Sequence, residues 1–127
     1  MALSMDKIYQ EILRDGGETP SKKVKETAQR FPDMIAMRYK EFGLWQETTY
    51  ENFWLKSNYL GMELRNCGVA KGNSVAMHAE NRTEWVVAGI GIQSMGLERV
   101  GLYTATATSG VRYGLSHSEA KIIIAEA

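Results

Sequence analysis

The stretch Ser74-Val75-Ala76-Met77-His78-Ala79-Glu80-Asn81-Arg82-Thr83-Glu84-Trp85 changes its periodicity part-way along. Its first half is a short run of apolar and small residues, as in a buried strand. Its second half reads as a helix start, with Asn81 placed to accept from the first turn and Glu84 three residues on, as in a capping box. The helix so opened carries Trp85, Val86, Val87, Ile90, Ile92 and Met95, apolar nearly all round, and Gly96 closes it. A helix without a polar face must be buried on most sides.

Toward the C-terminus, Val100-Gly101-Leu102-Tyr103 is a second strand. Thr108 or Ser109 starts a short helix through Val111, Leu115 and Ser118, and Lys121-Ile122-Ile123-Ile124-Ala125 is a third strand. Strand, helix, strand, helix, strand predicts a right-handed βαβαβ unit with parallel strands near 74–79, 99–103 and 121–125, in an α/β fold. Such apolar strands are expected to be covered on both faces. No return helix follows the third strand before Ala127, so the chain reads as the partial N-terminal domain of a larger α/β protein. The Ile122-Ile123-Ile124 strand and the helix from Arg82 to Met95 are then expected to be under-covered, which favours a homo-oligomer.

Toward the N-terminus, Thr49 caps a longer helix with inward positions Phe53, Ser57, Leu60, Leu64 and Cys67, and Gly68 supplies its left-handed C-terminal turn. Before it, Ile35–Tyr39 and Leu44–Thr48 flank the turn Glu41-Phe42-Gly43 and predict a β-hairpin. Thr19 caps a helix with Pro20 in its first turn and Val24, Ala28 and Phe31 as its buried stripe. Met5, Ile8, Tyr9, Ile12 and Leu13 share one helical face ahead of Gly16-Gly17. Residues 1–18 therefore read as an N-terminal helix and flexible joint, and residues 19–127 as the main domain.

Composition excludes several functions. A chain of 127 residues holds one core, and 15 Lys+Arg against 15 Asp+Glu leave no net charge to attract nucleic acid or an anionic membrane. Hydrophobic residues at 44% with 24% charged are those of a folding chain rather than a disordered one. No apolar run is long enough to span a bilayer, and the first residues lack a signal-peptide pattern, so the expectation is a cytoplasmic chain. Cys67 is the single cysteine, which excludes an internal disulfide; His78 and His117 lack the spacing of metal ligands.

Motif chemistry is sparse. Thr104-Ala105-Thr106-Ala107-Thr108-Ser109-Gly110 has the hydroxyls and glycine of a phosphate loop but neither the glycine spacing nor the lysine, and reads as a loop capping a helix. His78-Ala79-Glu80-Asn81-Arg82 occupies the turn where a dinucleotide fold would carry its glycines. No nucleophile elbow occurs, and Cys67 falls on an expected buried helix end, as a core thiol. Trp45, Trp54 and Trp85 lack interleaved Lys/Arg clusters, so core packing is expected for them.

Five segments in register carry a resemblance: Arg30-Phe31-Pro32-Asp33-Met34-Ile35-Ala36, Trp45-Gln46-Glu47-Thr48-Thr49-Tyr50, Gly68-Val69-Ala70-Lys71-Gly72-Asn73-Ser74-Val75-Ala76, Glu80-Asn81-Arg82-Thr83-Glu84-Trp85, and the pair Gly101-Leu102-Tyr103 with Tyr113–Lys121. Together they resemble the N-terminal region of adenylate-forming acyl-CoA synthetases, in the long-chain fatty-acid–CoA ligase branch. Thr104 and Ser109-Gly110 depart from that family's usual proline and acidic residues. The resemblance implies an intact enzyme that uses ATP, Mg2+ and coenzyme A to convert a fatty acid into its thioester, and a cytoplasmic or membrane-peripheral location. It implies no catalytic, cofactor-binding or metal-binding residue here, because the family's nucleotide motifs and catalytic lysine lie beyond Ala127. Asn81 and Glu84 are read as caps and Trp85 as a core anchor, and the fragment is expected to be inactive and to bind no cofactor. The alternative is a stand-alone α/β binding or interaction module.

Overall fold

The computed structural model describes residues 19–126. The expected helix of Met5 to Leu13 and its Gly16-Gly17 joint lie outside the described residues. Helix α1, Pro20–Arg30, starts as its residues dictate: the Thr19 hydroxyl accepts from the Lys22 amide at 3.3 Å, and Pro20 fills the first turn. Ser21 and Ala28 are buried, but Phe31 is 49% exposed. It stands at the C-cap with φ −139°, so the backbone leaves the helix before the ring can join the stripe.

Strands β1 (Ile35–Glu41) and β2 (Leu44–Thr49) form the antiparallel hairpin, with Lys40 opposite Trp45 and Arg38 opposite Glu47. Helix α2, Tyr50–Asn66, follows without a gap, the Thr49 hydroxyl accepting from the Asn52 amide. Its end is a Schellman turn: Gly68 takes φ +86°, its N–H donates to the Arg65 carbonyl, and the Val69 N–H donates to Leu64. This turn corrects the expectation for Cys67. At the C-cap its thiol is exposed, and Val69, 5% exposed, takes the core place past the glycine.

Strands β3 (Ser74–His78), β4 (Glu98–Leu102) and β5 (Ile122–Ala125) form a parallel sheet in the order β4-β3-β5. Val75 pairs with Arg99 on one side and Ile122 on the other. Helix α3, Thr83–Ser94, joins β3 to β4; α4, Thr108–Ser118, joins β4 to β5 across the central strand. The core gathers around β3, where Val75, Met77, Leu64, Ala88, Ile92 and Leu97 pack together. Burying a Met77 or an Ile92 is worth roughly 1.5–3 kcal/mol each. Helices α2 and α3 touch almost backbone to backbone: a Cβ at Gly91 would stand 2.5 Å from the Ser57 carbonyl oxygen. Among the described residues, no helix is long and apolar enough to cross a membrane.

The start of α3 differs from expectation. Arg82, not Asn81, is the N-cap, and no side chain caps the helix; Glu84 sits one residue too early for a capping box. Helix α4 likewise begins behind Ala107 without a side-chain cap, so the hydroxyls of Thr104–Ser109 do not play that part. Helix α3 is buried over Ala88–Ile92 while Val86 near its start is 39% exposed, and β5 leaves Ile123 44% exposed.

Candidate functional site

In an open parallel sheet, ligands bind outside the carboxyl ends of the strands where the strand order reverses. Here that point lies beside β3, whose neighbours β4 and β5 are reached by crossovers to opposite sides. Two crevices open there. One, about 300 Å³, lies between the ends of β3 and β5 and is walled by Met77, Trp85, Ala88 and Ile124 with Arg82 and Glu126 at its rim. The other, about 490 Å³, lies between the ends of β3 and β4 and is lined by Glu80, Asn81, Trp85, Leu102, Tyr103 and Thr104. The indole of Trp85, half-buried and packed on the core, separates them.

The polar rim is a network assembled from three loops. Glu126, just past β5, accepts from the Glu80 amide at 3.0 Å and pairs through its other oxygen with the Arg82 guanidinium. Arg82 also faces Glu84, Nε to Oε2 at 3.4 Å. The Thr104 hydroxyl donates to Glu80 at 2.8 Å, tying the loop after β4 to the loop after β3. The Glu80 N–H first, and Arg82 after it, hold the Glu126 carboxyl below the usual carboxylate range. The Glu84 carboxyl is lowered chiefly by its own backbone N–H, then by the Thr83 hydroxyl and Arg82. The carboxylates, Glu126 foremost, hold Arg82 more firmly charged. With Nη1 on Glu126 and Nε facing Glu84, Arg82 braces the rim. The first crevice has apolar walls under a hydrogen-bonding rim, a setting for positioning an apolar group, whereas the second is the more polar.

The remaining candidates are scattered. His78 ends β3, with Nε2 buried and unpartnered. His117 lies on α4, stacked on Tyr113 at 5.4 Å. Trp54 is half-buried on α2, whereas Trp45 is 67% exposed on the hairpin, contrary to the expectation of core packing. Of the candidate residues, Asn81, Glu84, Trp85 and Thr104 reach the crevices, as do Glu80, Arg82 and Tyr103 of the quoted motifs. Arg82 as a brace and Glu126 as its partner were missed. They stand 44 positions apart, and no local pattern signals a pair at that separation. No group of three or more His, Cys, Asp or Glu among the described residues is placed to hold a metal ion.

Comparison with known proteins places the chain in a family. A family model described as AMP-binding enzyme matches residues 24–127. The chain is 24% identical over 102 residues to the long-chain-fatty-acid–CoA ligase ACSBG2 of Xenopus laevis, covering 80% of this chain and 14% of that one. It is 31% identical over 67 residues to long chain acyl-CoA synthetase 5 of Arabidopsis thaliana, covering 53% and 10%. In fold it is similar to the unliganded O-succinylbenzoate coenzyme A synthetase of Bacillus subtilis, with a TM-score of 0.75 and 25% identity, covering 82% of this chain and 22% of that one. The chain thus spans a small fraction of the length of the proteins it matches.

Proposed function

Because the chain belongs to the AMP-binding enzyme family, we propose that it is the N-terminal part of an AMP-forming long-chain fatty-acid–CoA ligase, residues 19–127 being the front of the ligase domain behind a separate segment 1–18. The observation that carries this reading is the run of long-chain ligases among its relatives, the Xenopus enzyme matching 80% of the chain. In the intact protein a fatty carboxylate oxygen attacks the α-phosphorus of ATP, releasing pyrophosphate. The coenzyme A sulfur, giving up its proton, then attacks the acyl carbon and AMP leaves. The chemical reason for two steps is activation: a carboxylate is a poor acyl donor until its oxygen belongs to a good leaving group.

In this reading residues 19–126 contribute scaffold. Met77, Ala88 and Ile124 offer a hydrocarbon-compatible wall at the carboxyl end of the sheet, and the Arg82–Glu126 brace sets the spacing of the loops around it. A cytoplasmic or membrane-peripheral location and assembly as a homo-oligomer belong to the same proposal.

The test is to read the source gene past codon 127 and assay its complete product with ATP, coenzyme A and palmitate. The expected result is continuation into a Ser/Thr/Gly-rich loop with lysine and formation of palmitoyl-CoA with AMP and pyrophosphate, while the isolated 127-residue chain forms none. A stop codon there would assign the chain to the stand-alone binding modules instead, and a complete product active only on aromatic acids would overturn the substrate class.

A further inference from the structure

The tip of the β1–β2 hairpin breaks a local rule. Phe42 and Gly43 form a two-residue turn with φ values of +47° and +81°. Two positive φ angles suit the twist of a hairpin, and the first of the two positions ordinarily goes to Asn, Asp or Gly, because a left-handed backbone crowds a bulky side chain. Phe42 therefore costs the turn stability, and its ring gains nothing from the fold, being 99% exposed. A residue that is locally unfavourable and contacts nothing is expected where the surface has a task. Leu44 and Trp45 beside it are 68% and 67% exposed, so three consecutive non-glycine tip residues are apolar and face water.

We infer that this tip inserts into the interfacial region of a lipid bilayer, Phe42 and Leu44 reaching the acyl boundary and Trp45 lying at headgroup level. A protein partner fits the patch poorly. Three side chains at a hairpin tip, one on the turn and two at the start of β2, fall far short of the roughly 800 Å² per partner that a stable protein interface buries, and a convex tip needs a concave receptor, whereas a bilayer yields around it. Trp is at home at the membrane–water boundary, and Lys40, its ammonium 6.0 Å from the Trp45 ring centroid, has a stem long enough to follow the ring while its charge stays in water. The nearby charges cancel: Arg38 is paired with Glu47 at 2.8 Å, and Lys40 neighbours Glu41. Binding therefore rests on apolar insertion rather than on attraction to anionic lipid, and is weak and reversible, as for a single short anchor. The inference deepens the membrane-peripheral location that the family resemblance implies by naming the surface responsible, and because its readout needs neither nucleotide nor acyl substrate it can fail without the ligase reading failing.

The experiment is co-sedimentation of the full 127-residue chain with vesicles of phosphatidylcholine, and of phosphatidylcholine with phosphatidylglycerol, for the wild type, Phe42→Asn and Leu44→Ser. Phe42→Asn installs the Asn-Gly pair that this turn prefers, so it should raise the melting temperature while weakening lipid partition about tenfold or more. Leu44→Ser should weaken partition as well, wild-type binding should be equal on the two lipids, and brominated phosphatidylcholine should quench the wild-type tryptophan emission. The inference is overturned if the wild type does not sediment with either vesicle, if Phe42→Asn binds as well as the wild type or melts lower, or if binding requires phosphatidylglycerol. Concentration-dependent self-association abolished by Phe42→Asn, without lipid binding, would give the tip to a second copy and equally overturn it.

Discussion

Strands β3 and β5 lie side by side in one sheet, yet they fare differently. β5 is the greasier, with Ile122, Ile123 and Ile124 in succession, but Ile123 is 44% exposed, while Val75, Ala76 and Met77 of β3 are 0%, 0% and 1% exposed. The helices repeat the contrast: α3 is buried from Ala88 to Ile92, and α4 buries no residue. Position in the sheet, rather than hydrophobicity, decides burial here. β3 has a strand on each edge and packs into the α2–α3 core, whereas β5 is an edge with one neighbour. Stability should therefore be concentrated around β3, α2 and α3, and paired truncations on the two strands test this most strongly. Met77→Ala should cost about 3 kcal/mol and Ile123→Ala about 1 kcal/mol or less, both read by urea denaturation. Equal losses would break the comparison and mean that β5 is covered in solution, as by self-association.

A second pair of variants sharpens the contrast at the level of backbone contact. An alanine at Gly91 would place its Cβ 2.5 Å from the Ser57 carbonyl oxygen, and since that obstacle is main chain, α2 and α3 must part. The expected loss is about 2 kcal/mol. At Gly101, on the sheet edge, the same methyl would meet only the Trp85 ring at 3.5 Å, an ordinary contact. Gly101→Ala should be neutral or gain about 0.5 kcal/mol, chiefly by restricting the unfolded chain. Thermal melts of both proteins check the pair, and a destabilising Gly101→Ala would show that the Trp85 crevice wall has no room to give.

The same division explains what could be read in advance. Period and punctuation are local, so the three parallel strands, the hairpin turn, the Thr19 and Thr49 caps, the left-handed Gly68 and the helix stop at Gly96 are legible from neighbouring residues alone. The start of α3 is not: Asn81 and Glu84 have the right chemistry for a capping box, but Arg82 takes the cap position and turns its side chain to Glu126 at the far end of the chain. Cys67 continues the inward spacing of α2 by arithmetic, yet the glycine turn that ends the helix hands its place to Val69. Aromatics usually go to the core, which is the expectation for Trp45, but hairpin register sets it outward beside Lys40. The site was only partly legible for a related reason. Its walls are apolar residues of individual elements, but its rim is made by loops that meet because β4 and β5 flank β3, and the succession of strands and helices states parallel pairing without stating which strand is central.

The smallest effect concerns the contact that ties the edge strand to the central one. Glu126 follows β5 and holds the Glu80 N–H and the Arg82 guanidinium, both in the loop after β3. These partners keep its carboxyl below the ordinary range in the folded state, so the contact's contribution is fully present above the unfolded carboxylate value, about 4.3, and fades as the pH falls through the lower folded value. Arg82 stays protonated throughout and adds no pH dependence of its own. Because the pair is open to solvent, the change should be slight in global unfolding and clearest in hydrogen exchange: amides of Ile122–Ala125 lose protection on acidification while those of Val75–Met77 do not. Glu126→Gln keeps an acceptor for the Glu80 N–H but not the charge, so it should lower β5 protection at neutral pH and flatten its acid dependence. If the β5 amides of Glu126→Gln respond to acid as the wild type's do, the tie is not electrostatic, and the edge strand is held by its ladder to β3 alone.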